Sequence, residues 1–462
     1  MEFSHDENIN LPLDKFESML KTNHVLFFDS EEFENIIHHY LNQGKTALAK
    51  KAIQLGLDQH PTAINLKLFK VEIYIFEDQL KEANLLLDKL YAIDPFNEEI
   101  YIQKANVFSK KDNHSKAIEV LKQAVDLTDD VADIYSLIGM EYLFLDKFKE
   151  AKHYFIKCLE QDTQDYSALY NIIYCFDFLD QTEDAILYLN KFLDKNPYCE
   201  VAWHQLGKQY CNLEQYTKAL RAFDFAIISD DTFIGAYLER GKVLERLNRF
   251  NEAIENYEIT LKLHDPTSYA LLRIGKCHEK LGNKTLAIKY FYDTVHEDPL
   301  LDKGWVAIAK HYKSNKNYFK ALNYINKAIS IDAENILYWK LYAQINQRLD
   351  FLEAAEHGYK KAIELGNYEL NIWLSRGDLL IKLEQIDNAK DHFIEALDFH
   401  ANNPEIEYRL AGIYFKLNQK AKGGFHLKNA VSLNKAYSFI IDELFPEILG
   451  LIEVKAILKQ NK

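Results

Sequence analysis

Small, bulky and turn-forming residues alternate along this chain on a fixed step of 34 positions. Stepping by 34 from Ala49 lands on Ala83, Ala117, Ala151, Ala185, Ala219, Ala253, Ala287, Ala321, Ala355 and Ala389, and then on Gly423. With this residue set as position 20 of a unit, the first unit starts at Ser30 and the twelfth ends at Tyr437. Position 4 carries Phe33, Tyr101, Tyr135 and Tyr237 together with all four tryptophans, Trp203, Trp305, Trp339 and Trp373. Position 8 is Gly or Ala in nine of the twelve units, and position 11 is usually Tyr or Phe, as in Tyr40, Tyr74 and Tyr142. Position 15 is Gly, Asn or Asp in nine units, which is the chemistry of a tight turn. Pro61, Pro95, Pro197 and Pro299 stand at position 32, where proline ends a helix. Each unit is therefore predicted to be a helix–turn–helix hairpin. Small residues at 8 and 20 bring its two helices close, and the aromatic at 4 fills the space left over, burying about 150–250 Å² each time. Such a hairpin cannot cover its own apolar face and must stack on its neighbours.

These columns resemble the W–LG–Y–A–F–A–P pattern of the tetratricopeptide-repeat family over residues 30–437. The resemblance implies an all-α fold, a right-handed superhelical solenoid of about twelve 34-residue helix-turn-helix repeats, read as one array without an internal boundary. Residues 1–29 are expected to be an N-terminal capping segment, with Phe16, Met19 and Leu20 on one face of a stretch from Leu13 to Lys21. Residues 438–462 hold Phe439, Ile440, Leu444, Phe445, Ile448, Leu449, Leu451 and Ile452, too apolar to be left in water. They are expected to form a C-terminal capping helix region, with Pro446 in the first turn of a new helix. The alternative use of this segment is partner docking or self-association.

Composition narrows the function classes. Only 16 Gly and 8 Pro among 462 residues are too few for a linker-rich or all-β protein. No run approaches the ~20 apolar residues that span a bilayer, so no membrane is expected as a partner. The N-terminal stretch is acidic and lacks the apolar core of a secretory signal. Cys158, Cys175, Cys199, Cys211 and Cys277 are scattered and form no CxxC, which fits a reducing cytoplasm rather than a disulfide framework or a zinc knuckle. A net charge of −15 disfavours general affinity for nucleic acid.

Chemical motifs are mostly absent. Gly44-Lys45-Thr46 lacks the upstream glycine and strand of a phosphate-binding loop and falls on the inter-helix turn. His38 and His39 are adjacent and so point to different faces of a helix. Cys277-His278 lacks the upstream cysteine of a haem-attachment motif. No catalytic residue, metal or cofactor is expected, and the chain is not read as an enzyme.

In the family, the first helix of each hairpin lines the concave surface through positions 2, 5, 9, 12 and 13, and that assignment rests on the resemblance. At those positions units two to five are largely apolar, with Leu68, Ile75, Phe76, Ile102, Met140, Leu143, Phe144, Tyr170, Tyr174 and Phe178. From unit six onward position 9 reads Lys208, Lys242, Lys276 and Lys310, while Arg246, Lys280 and Arg348 add charge at position 13. Successive lysines are expected on the order of 10 Å apart, comparable with the ~8 Å Debye length at physiological salt. Glu245 and Glu279, three residues after Lys242 and Lys276, are expected to neutralise them if the stripe is only a solvated face. The carboxylate clamp of some family members is not matched, because Asn106 and Asn171 fall in the wrong units and Ile102 stands where lysine is needed. The resulting expectation is a protein–protein interaction scaffold. It would hold a protein or peptide segment with acidic and apolar portions in a groove that is apolar in repeats 2–5 and basic in repeats 6–12. A nucleic-acid-binding solenoid is the alternative, disfavoured because aromatic stacking partners are not interleaved with the lysines.

Overall fold

The computed structural model describes residues 6–22, 25–263 and 267–459, and among them there is no β-strand. Helices pair in hairpins from Ser30–Asn42 with Thr46–Gln59 to Pro404–Lys416 with Lys420–Leu433. They fall into two compact units, Met1–Asp231 and Thr232–Lys462, although the 34-residue step runs through that point unchanged.

The turn inside each hairpin has a simple physical origin. Every position-15 residue has positive φ, from Gly44 at 68° and Asp78 at 60° to Lys316 at 58° and Asn418 at 59°. This left-handed residue ends the first helix and lets the next amide reach back to the carbonyl at position 11. The amide of Lys45 donates to Tyr40 at 2.8 Å, Gln79 to Tyr74 at 2.7 Å, and Asn283 to His278 at 2.9 Å. Gly, Asn and Asp dominate the column because they tolerate this conformation at least cost.

All eleven position-20 alanines are fully buried. The aromatic that fills the gap between helices, however, is not the one at position 4. A Cβ added to Gly139, Gly207, Gly241, Gly275 or Gly377 would lie 2.0–2.7 Å from the ring at position 24, namely Phe155, Phe223, Tyr257, Phe291 or Phe393. The position-4 indoles of Trp203, Trp305 and Trp339 are only partly buried. They donate across the repeat seam to the carbonyls of Pro197, Pro299 and Ala333 at 2.8, 2.9 and 2.7 Å. Of the four tryptophans only Trp373 is fully buried, stacked 4.8 Å from His392, and Phe33 of the same column is also fully buried.

At the start of the first unit the Asp6–Thr22 helix extends beyond the stretch expected from sequence. Its Phe16 ring sits 5.9–6.2 Å from Phe28, Phe33 and Tyr40, on the first hairpin's core. At the end of the second unit, Phe439–Leu444, Pro446–Gly450 and Ile452–Lys459 fold back on the last hairpin. Pro446 opens a 3₁₀ turn rather than an α-helix. Ile440, Ile441, Phe445, Ile448, Val454 and Ile457 join one core with Leu410, Leu427 and Val431. Phe439 and Ile452 stay exposed.

Candidate partner-binding surfaces

In the second unit, the first helices of successive hairpins are Ile234–Arg246, Ser268–Lys280, Asp302–Ser314 and Ile336–Arg348. Together they line a depression of about 720 Å³. Of the seven residues expected to form the basic groove, Lys242, Arg246, Lys276, Lys280 and Lys310 line it. Lys208 is exposed on the Glu200–Asn212 helix of the first unit, and Arg348 is exposed outside the depression. Arg273 at position 6 and Lys303 at position 2 complete the cationic wall. Lys303 occupies a groove position and was legible in principle, whereas Arg273 lies one residue outside the set.

Two carboxylates, Glu245 and Glu279, share this lining. Neither forms the intrahelical pair that sequence spacing suggests. Lys242 donates instead to Glu239 at 2.7 Å, three residues earlier. Glu245 accepts from Arg273 Nε on the next repeat at 2.8 Å and from the Tyr257 hydroxyl at 2.7 Å. Among the described residues Lys276, Lys280, Lys303 and Lys310 have no ion-pair partner. Burial holds the Lys276 ammonium below the usual lysine range, and neighbouring Arg273, Lys310 and Lys303 push it further in the same direction against the opposing pull of Glu245. Lys313 is lowered likewise, by burial and then by Arg348 and Lys310. Local neutralisation thus reaches Lys242 and Arg273, through Glu239 and Glu245, but not by the pairs that the spacing suggests.

In the first unit the six expected apolar groove residues are all exposed, from 36% for Met140 to 70% for Phe76. Phe76 and Phe144 line one depression of about 560 Å³ with Gln103, Asn106 and His114. The Phe144 ring stacks on His114 at 5.0 Å, and His114 Nδ1 lies 2.8 Å from Glu141. Phe178 stacks on Phe148 at 3.8 Å, with Tyr174 at 6.2 Å from Phe178. Met140 meets Asn171 of the next repeat, its sulfur accepting at 3.9 Å. Tyr170 is half exposed on the same helix as Tyr174. Leu68 and Ile75, read from sequence as groove residues, are mostly buried and form the floor of depressions on this face, Ile75 in the one with Phe76 and Phe144.

Other reactive groups are not poised for chemistry. Burial pushes the Cys175 thiol up to about 11 and those of Cys158 and Cys277 up to about 12, far from a nucleophilic thiolate. Among the described residues no cluster of His, Cys, Asp or Glu is placed to hold a metal ion, and no helix is long and apolar enough to cross a membrane.

Tetratricopeptide repeat family models match residues 98–130, 132–165, 167–197, 238–301, 302–335 and 370–403. The chain belongs to the tetratricopeptide-repeat family. Four of these matches begin at 98, 132, 302 and 370, where the 34-residue units themselves begin. This tetratricopeptide-repeat protein is 24% identical over 197 residues to anaphase-promoting complex subunit 3 of Schizosaccharomyces pombe, covering 42% of this chain and 30% of that protein. It is 27% identical over 148 residues to the protein O-mannosyl-transferase TMTC3 of Mus musculus, covering 29% and 16%. The chain thus spans less than a third of the length of either relative. Among solved structures, the APC/C hetero-tetramer Cut9-Hcn1 aligns over 88% of this chain and 93% of that one, at 14% identity and a TM-score of 0.39. Family membership supports a protein–protein interaction scaffold.

Proposed function

We propose that this protein holds a partner through a segment with an apolar portion and an acidic portion. Phe76, Phe144, Tyr174 and Phe178 of the first unit would take the apolar part, and the cationic wall of the second unit the acidic part. The observation that carries this reading is the wall itself. In a chain of net charge −15, seven basic side chains line one depression, six of them at ligand-facing positions, and Glu245 beside them is taken up by Arg273 and Tyr257. Concave surfaces focus such a field beyond what pairwise screening suggests. The relationship to a subunit of the anaphase-promoting complex supports a role within a multiprotein assembly. Five free cysteines support a reducing, cytoplasmic setting. On the same reading, residues 1–29 and 438–462 cap the array of residues 30–437.

The test begins by capturing partners with the full-length protein, with and without nuclease, and identifying them by mass spectrometry. Binding of the recovered partner is then measured against Lys242→Glu/Lys276→Glu/Lys310→Glu and against Phe144→Ser/Phe178→Ser. The charge reversal is expected to weaken binding at least tenfold and the apolar change severalfold, with helicity unchanged in both. Affinity is expected to fall only shallowly with salt, since apolar burial is not screened. A steep linear fall of log K with log salt, lost on nuclease treatment, makes nucleic acid the ligand. Retention of full affinity by the charge-reversed protein rules the basic wall out.

A further inference from the structure

Within that reading, we propose that the depression of the second unit receives a phosphoryl group carried on the partner segment, with Lys276, Lys303 and Lys310 as its donors. The three ammonium groups arrive from two adjacent repeats, Lys276 on Ser268–Lys280 and Lys303 and Lys310 on Asp302–Ser314. They lie close enough that Lys303, Lys310 and Arg273 all bear on the charge of Lys276, after burial, which is the largest influence on it. Glu245 offsets part of this crowding, but its carboxylate is already engaged by Arg273 and Tyr257 and none of the three lysines has an ion-pair partner among the described residues.

The geometry of the anion decides between two ligand chemistries. A carboxylate offers one charge and two oxygens in a single plane, which suits one or two donors. A phosphomonoester carries about −1.5 to −2 at neutral pH and three acceptor oxygens arranged tetrahedrally, which suits cations converging from separate helices. The same depression has an apolar part, with Val306 and Ala307 between Lys303 and Lys310 on one helix face and Leu337 on the next repeat. An apolar residue beside the modified one is therefore expected in the bound segment. Aromatic surface for base stacking is scarce: of the two aromatic lining residues Phe250 is half-buried, and Tyr338 is buried with its hydroxyl donated to Asp302. A phosphorylated peptide fits this combination better than a nucleic acid does.

The experiment uses the full-length protein and three fluorescent degenerate peptide pools, alike except for a central phosphoserine, glutamate or serine beside a fixed leucine. Fluorescence anisotropy at physiological salt reads the affinity. The phosphoserine pool is expected to bind at least tenfold tighter than the glutamate pool, with the serine pool weaker still. Lys276→Ala/Lys310→Ala is expected to erase that preference, while its thermal melt stays that of the unaltered protein. Equal affinity for phosphoserine and glutamate pools overturns the phosphoryl assignment yet leaves the acidic-segment reading standing. A phosphoserine preference that survives in Lys276→Ala/Lys310→Ala overturns the location. Inositol hexakisphosphate or a single-stranded DNA oligomer that binds tighter than the phosphoserine pool, and loses that binding in the same variant, overturns the assignment to a protein segment.

Discussion

Deletion of residues 438–462 is expected to make the protein self-associate and bind apolar dyes. The deletion strips Phe445 from its seat on Gly412, where an added Cβ would fall 2.1 Å from the ring. It also uncovers Leu410, Leu427 and Val431, all now buried under Ile440, Ile448 and Val454. Burial of one such aliphatic or aromatic side chain is worth about 1.5–3 kcal/mol, so losing only a few rivals the ~5–15 kcal/mol that holds a whole domain. Terminal repeats of a solenoid need a polar outer face, and the last hairpin has none without this segment. Light scattering after size exclusion, with dye fluorescence on the same fractions, reads the outcome. Phe445→Ala in the intact chain is expected to lower stability by about 3–5 kcal/mol. A truncated protein that stays monomeric, binds no dye and melts unchanged would turn the segment from a cap into a surface open to partners.

The pairing of glycine at position 8 with a ring at position 24 predicts a smaller but compensable effect. Gly377→Ala places a methyl 2.0 Å from Phe393 Cζ, the tightest approach of this kind to a position-24 ring. Overpacking of this sort costs about 1–3 kcal/mol, more than the ~1 kcal/mol that alanine gains over glycine in a helix. Phe393→Leu alone leaves a cavity beside a fully buried site. The chain already shows the compatible alternative: Ala105 faces Leu121 and Ala411 faces Leu427 at the same two positions, and both leucines are buried. Gly377→Ala/Phe393→Leu is therefore expected to be more stable than the two single losses added together, with a coupling of about 1 kcal/mol or more. Urea unfolding of the four proteins closes the cycle. Strict additivity would mean that the two positions do not share one space.

That pairing shows where sequence reading stops. The alanine and turn columns were legible because backbone geometry admits few residues there: no room for a side chain at position 20, and positive φ at position 15. The aromatic column at position 4 was equally visible, but a column does not say which way its rings face. Trp203, Trp305 and Trp339 turned out to bridge repeats, and the rings of position 24 fill the hairpin. The lysine stripe was legible at position 9 because the repeat brings that position to one face. The fate of Glu245 was not, because its partner Arg273 lies 28 residues away on the next repeat, beyond any intrahelical rule. Lys242 likewise had glutamates on both sides at the same spacing, Glu239 and Glu245, and spacing alone does not choose between them. Leu68 and Ile75 serve both uses, packing into the core and lining depressions on the face, and apolar character alone does not separate the two.

The two kinds of aromatic contact differ in what they ask of the chain when a repeat is copied. The glycine and its ring at positions 8 and 24 lie within one 34-residue unit and are inherited together. The indole of position 4 reaches into the preceding unit but accepts any residue there, since its target is a main-chain oxygen, supplied by proline in two cases and alanine in a third. A gene segment duplicated at the turn between units therefore carries its side-chain complementarity with it and finds a working partner at the new junction. Growth by whole units is tolerated, whereas the gain or loss of one residue between positions 8 and 24, or between position 32 and the next position 4, breaks the contact that spans it, and the uninterrupted 34-residue spacing from Ala49 to Gly423 is what such a filter leaves behind.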